Sequence, residues 1–497
     1  MLFGTSLVVC VLCMATPSWA QGRAHHAPPF PWSGQKVSGP MTPGGDAAVV
    51  QYEPESLSID GRWVVYLADQ DTDEVVELYS FSLRDGSRRK LNGALVAGGD
   101  VQGFRISPDS TRVVYRADQD LDEQLEIYSV PISGGVPVRL DGPMVAGGDV
   151  PYDADYVISS DSQRVVYRAD EQTDEAFELF SVPIAGGTSV ELSPASGVPA
   201  GFHLSADASR AVMKIGLTEI WSVPIAGGTP ILLTPAHSSV DGVIVTPDSG
   251  RVVYRVRTLG GLYSVPIAGG TTLQLNDEPI GDGDAPTLRI TPDSSRMVFV
   301  RSNHLYTVST AGGPPTLLVT PIEDLVGAPH ITPDSSRVVY IDGTVFGERW
   351  LYSVPITGGT PVVLNLPPNH VASPEISPDS GHVVFTHQGL SSELLATPIA
   401  GGAQVDVNQV PGTVFDYEFS RDPSKVVFLA GSAGDVWQLF AVSPSGGAAR
   451  TLNRPLVAGG DVTGFVVRGP WVLYRADQDT NDVFELYVSR LTTTDFR

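Results

Sequence analysis

Four short carboxylate runs have the spacing with the clearest chemical meaning in this chain. They read Asp69-Gln70-Asp71-Thr72-Asp73-Glu74, Asp118-Gln119-Asp120-Leu121-Asp122-Glu123, Asp170-Glu171-Gln172-Thr173-Asp174-Glu175 and Asp477-Gln478-Asp479-Thr480-Asn481-Asp482. A glutamate follows three residues after each run, as Glu77, Glu126, Glu178 and Glu485. Alternating acidic positions offer hard oxygens at the spacing that calcium loops use. A calcium loop of the EF-hand type has Gly at its sixth position, whereas the sixth position here is acidic. Three readings stay open: a cation site, with Ca²⁺ the best match; a carboxylate surface for a basic partner; and a solvated hairpin turn. Only these four segments are preceded by a Gly-Gly-Asp, ending in Asp46, Asp100, Asp149 and Asp461, which become candidate partner contacts.

A second set is more dispersed. Arg105, His203, Arg289, His330, Glu375 and Glu418 occupy one recurrent position, on a strand expected to face a central channel. Histidine, glutamate and arginine together could run acid–base or metal chemistry. Alternatively, these mixed charges neutralise one another around a wet channel. The other histidines show no HExxH spacing, and no G-x-S-x-G elbow occurs. The expectation is a non-enzymatic binding protein, with a channel-centred hydrolase or lyase using His203, His330 and Glu418 as the alternative.

The elements that must hold these residues come from an internal repeat. The string Ile106 to Leu140 recurs with small changes, anchored at Asp60, Asp109, Asp161, Asp207, Asp248, Asp293, Asp334, Asp379, Asp422 and Arg468. The anchors lie roughly 40 to 50 residues apart, the period of a four-stranded propeller blade. Each copy supports four strands rich in Val, Ile, Tyr and Thr, with a Gly-Gly pair before the last in eight copies. The residue three before each anchor is always apolar, from Leu57 to Phe465. Each anchor Asp, after Pro in five copies, is expected to build a turn by accepting backbone N–H bonds.

The tenth copy lacks its last strand. Gln35-Lys36-Val37-Ser38-Gly39 resembles Arg89-Lys90-Leu91-Asn92-Gly93, so the N-terminus is expected to supply it. The fold expected is all-β: one closed β-propeller of about ten four-stranded blades over residues 35–491, with a tail at 492–497. Closure would place the four acidic copies side by side, with the acidic hairpins and the Gly-Gly-Asp connections on one face.

The Ser-Pro-Asp-Ser, Arg-Val-Val-Tyr and Glu-Leu-Tyr-Ser-Val-Pro pattern resembles the TolB-like, WD40-related propeller repeats of bacterial envelope proteins. The resemblance spans roughly Lys36 to Arg490. It implies fold and compartment, and a Tol-system role only weakly, because residues 21–35 are too few to form TolB's N-terminal α/β domain.

Bulk properties agree. The formal charge of −25 disfavours nucleic acid as a partner and favours cations or basic protein surfaces. Residues 1–20 read as a secretory signal, with an apolar run from Leu7 to Met14 and small residues at Ser18 and Ala20. No basic residue precedes that run. A flexible linker over 21–34 follows. Cleavage would remove Cys10 and Cys13, the chain's two cysteines, leaving no thiol for disulfides or catalysis. No later apolar stretch is long enough to span a bilayer. The expected location is periplasmic or secreted, and the expected partner a protein or envelope ligand.

Overall fold

The computed structural model describes residues 33–47, 56–151, 156–195, 197–234, 239–281, 288–320, 322, 325–343, 347–367, 370–387, 393–410, 412–421, 425–431 and 436–491. The leader 1–20, residues 21–32 of the expected linker, the tail 492–497 and the anchor Asp422 lie outside them.

Alternation along the strands explains the architecture. Successive side chains of a strand face opposite sides. In the strand Arg112–Ala117, Val113 and Tyr115 pack with Val65 and Leu78 of the preceding blade. Val114, between them, packs with Val150 and Tyr156 of the following blade. Each RVVY-like run is therefore apolar on both faces because it is sandwiched. Such clusters join every consecutive pair of blades. A further one joins the last to the first, bringing Leu473 and Val488 against Val64 and Tyr66. Ten blades thus form one ring.

A typical blade is antiparallel, in the order Val101–Ile106, Arg112–Ala117, Glu126–Pro131, Val138–Arg139. Middle strands carry stacked cross-strand pairs such as Tyr115 on Tyr128, with centroids 5.2 Å apart. The first blade has three strands, Trp63–Ala68, Glu77–Ser82 and Arg88–Lys90, and a single bridge from Leu57 to Val64 at its inner position. In the tenth, Gln35–Lys36 pairs with Glu485–Arg490, in the register Gln35 to Val488 and Lys36 to Tyr487. The described residues contain one helical turn, Arg257–Leu259. No helix among them is long and apolar enough to cross a membrane.

The anchor aspartates build turns and also tie blades together. Asp109 Oδ1 accepts from Ser107 Oγ at 2.6 Å and from the Thr111 N–H at 3.0 Å. The Asp109 N–H donates to Ser162 Oγ of the next blade at 2.9 Å. The same tie recurs from Asp248 to Ser294 and from Asp293 to Ser335. Blade 4 carries Ala208 at the serine position, and there Ser160 Oγ donates to the Ala206 carbonyl instead. Hydrogen bonds from Thr246 Oγ1, then from the Gly250 N–H, hold Asp248 below the usual carboxylate range. A depressed carboxylate stabilises the fold at neutral pH and stops doing so as pH falls through its folded value. Asp248→Asn should therefore lower the melting temperature at pH 7, and that effect should fade as pH falls through the folded value, by scanning calorimetry.

Candidate functional site

In the acidic sector the first aspartate of each hairpin clasps backbone. Asp118 Oδ1 accepts the N–H of Asp100, from the connection entering the same blade, at 2.6 Å. Its Oδ2 accepts the N–H of Glu123, which sits at φ 63°, at 3.3 Å. Asp69, Asp170 and Asp477 bind in the same way to Asp46 and Glu74, Asp149 and Glu175, and Asp461 and Asp482. The following Gln119 accepts from the Gly93 N–H at 2.7 Å and from Tyr115 Oη at 2.8 Å.

The connection aspartates reach the preceding blade. Asp100 Oδ1 accepts the Val76 N–H at 2.7 Å, Asp461 Oδ1 that of Trp437 at 2.7 Å, and Asp46 Oδ1 that of Phe484 at 2.8 Å. Asp149 departs from this: its Oδ1 is buried without a hydrogen-bond partner, and burial, then the Asp170 charge, raises its pKa.

Some of the outer carboxylates pair with strand-borne cations. Lys90 bridges Asp71 and Glu77 at 2.7 Å each, and Lys36 contacts Glu485 and, at 3.9 Å, Asp479. Arg139 pairs with Glu126 and Asp141. Asp73, Asp122 and Asp174 lie against the first glycine of the Gly-Gly pair. A Cβ on Gly44 would come 2.6 Å from Asp73 Oδ1, one on Gly98 2.8 Å from Asp122, and one on Gly147 3.0 Å from Asp174. Asp120 is exposed. Among the described residues no three carboxylate or imidazole side chains converge as a metal would require. Asp69, Asp118, Asp170 and Asp477 each hold two backbone N–H groups.

The channel wall is different. The first strands of neighbouring blades contact one another, as Val371–Ile376 does Thr413–Ser420, and Thr413–Ser420 does Val462–Arg468. They therefore surround the axis. A cavity of about 410 Å³ there brings Arg289, His330 and Glu375 together among Pro292, Pro329, Pro333 and Pro374. Glu375 Oε1 accepts the N–H of Phe419 on the next inner strand at 3.1 Å. Glu418, one blade further, repeats the device with Val467 at 3.1 Å. Burial pushes both glutamates up to about 7, with the Asp416 charge adding to each and Glu375 adding to Glu418. His330 is reached by solvent, but crowding by its surroundings, then the Arg289 guanidinium, holds it below the usual imidazole value.

Of the six residues sharing the inner-strand position, only these four line up on consecutive blades. Arg105 stacks over Tyr156, and His203 lies in a separate cleft between blades 4 and 5. The set His203, His330 and Glu418 is therefore not a single site; Arg289 and Glu375 take the place of His203. Lys214 and Asp241, which line the second cleft, carried no motif in the sequence.

No protein-family model and no curated protein matches the sequence. Solved structures match in fold. A crystal structure of the eukaryotic initiation factor is 11% identical, covering 77% of this chain and 94% of that one, with a TM-score of 0.50. An oligogalacturonate lyase in complex with manganese is 16% identical over 64% of this chain and 92% of its own, with a TM-score of 0.35. A putative TolB from Agrobacterium tumefaciens is 16% identical over 56% and 99%, with a TM-score of 0.29. TolB-like and other propeller proteins are thus among the matches. The expectation of a non-enzymatic scaffold is corrected: a propeller fold by itself gives no ground for setting catalysis aside.

Proposed function

We propose that this chain is a channel-centred acid–base enzyme, a hydrolase or lyase, working at the inner strands of blades 6 to 9. The observation that carries the reading is the pair of neighbouring glutamates, Glu375 and Glu418, each poised near neutrality. Catalytic acids and bases need pKa values close to the working pH, and burial is the usual means. At pH 7 one glutamate of the pair can keep its proton and serve as general acid to a leaving oxygen. His330, held neutral, can take a proton from water in hydrolysis, or from carbon beside a carboxylate in elimination. Arg289 offers a fixed positive charge to an anionic group of the substrate or to charge developing in the transition state. The cavity's volume lies within the range of small-molecule sites, and its prolines make a stiff wall.

The test is turnover of a panel of p-nitrophenyl esters, p-nitrophenyl glycosides and uronate oligosaccharides, followed across pH. The expected outcome is activity on at least one class, with a bell-shaped profile centred near neutrality. Absence of turnover throughout the panel, or carboxyl titrations of Glu375 and Glu418 near 4.5 by NMR, would overturn the reading.

A further inference from the structure

We propose that the cleft between blades 4 and 5 is a separate binding site for a small organic anion with an apolar body. This does not rest on the channel chemistry. The cleft measures about 370 Å³ and is lined by Phe202, His203, Val212, Lys214, Asp241 and Val243, among others. Strand register explains its shape. His203 pairs with Val212, and Lys214 with Gly201, so all four side-chain positions share one face of the blade. A Cβ at Gly201 would meet nothing within 4 Å, so this glycine opposite the lysine leaves open space.

Lys214 differs from the arginines that occupy its position in some other blades. In blades 2, 5 and 10 the equivalent residue is an arginine that ties its blade to the next. Arg116 Nη1 donates to the Pro151 carbonyl at 2.6 Å, Arg255 Nη1 to Gly281 at 2.9 Å, and Arg475 Nε to Ala47 at 2.7 Å. Lys214 makes no hydrogen bond or ion pair with a described residue. Among the described residues that line the cleft, the one carboxylate is already engaged. Asp241 Oδ1 takes Arg255 Nε at 2.8 Å, its Oδ2 takes Nη2 at 2.7 Å, and Arg257 Nε approaches to 3.5 Å. An ammonium group therefore faces a small, partly apolar cavity with no counter-charge among the described residues, in a chain of formal charge −25. A ligand carboxylate would supply that counter-charge, with the His203 imidazole beside it and Val212 and Val243 against its apolar part.

The test uses the whole chain and two probes of similar shape, benzoate and benzyl alcohol, followed by isothermal titration at low salt. Saturable benzoate binding is expected, weakened at least tenfold by Lys214→Gln and several-fold by His203→Asn. Benzyl alcohol should bind at least tenfold more weakly than benzoate. Both substituted residues are solvent-accessible, so unchanged melting temperatures will separate lost binding from lost fold. No saturable benzoate binding, equal binding of the neutral probe, or full affinity in Lys214→Gln would each overturn the proposal.

Discussion

Glu418→Gln should lower kcat by about 10²- to 10⁴-fold on whichever substrate the wild-type chain turns over, the range for loss of a positioned general acid or base. Glutamine keeps the shape and the acceptor for the Val467 N–H but cannot exchange a proton. Glu375→Gln should lose activity to a similar extent, and either variant should lose one limb of the pH profile. Stability should move the opposite way. Both carboxyls titrate near 7 in the folded chain, against an ordinary value of 4.5. The folded state thus keeps protons that the unfolded state releases, and stability falls as pH rises from about 4.5 to about 7. Removing either charge should recover on the order of 1–3 kcal/mol at pH 8 and nothing at pH 4. A variant that is slower yet more stable at alkaline pH is the signature of a group strained for function. Unchanged rates in both variants would show that the glutamates merely line the channel.

Asp118→Ala should cost about 2–4 kcal/mol of unfolding free energy, because the N–H groups of Asp100 and Glu123 lose their shared acceptor. Asp120→Ala, two residues along on the exposed tip, should stay within about 0.5 kcal/mol. Urea denaturation of the two variants separates the roles cleanly. Equal losses would mean that the run acts as one charged unit and not as a clasp with a solvated tip. The contrast also explains why the hairpin looks like a calcium loop. Carboxylates at alternate positions suit an ion, yet the first, Asp118, equally suits two backbone donors, and Gln119 beside it takes a tyrosine hydroxyl.

The same ambiguity divides what was legible in the sequence from what was not. The fold could be read because its determinants are local and repeated. Val-Val-Tyr runs bury both faces, the first glycine of each Gly-Gly pair adopts positive φ (Gly134 at 91°), and Pro-Asp turns accept their own N–H groups. Such signals, recurring along ten copies of the repeat, eight of them with the Gly-Gly pair, leave little choice of architecture. That the acidic copies adjoin also followed from the repeat, since it depends only on order around a ring.

The chemistry of the site depends on distances between residues 41 to 49 positions apart, such as Glu375 and Glu418 or Glu418 and Val467, and on which side chains burial deprives of water. Arg289, His330, Glu375 and Glu418 share a column with Arg105 and His203, and nothing local separates the two groups. Only the closed ring puts Arg289, His330 and Glu375 around one cavity, assigns His203 to another, and desolvates two glutamates enough to keep protons near neutrality. Strand patterns are set by nearest neighbours along the chain, whereas a pKa answers to everything within reach in three dimensions.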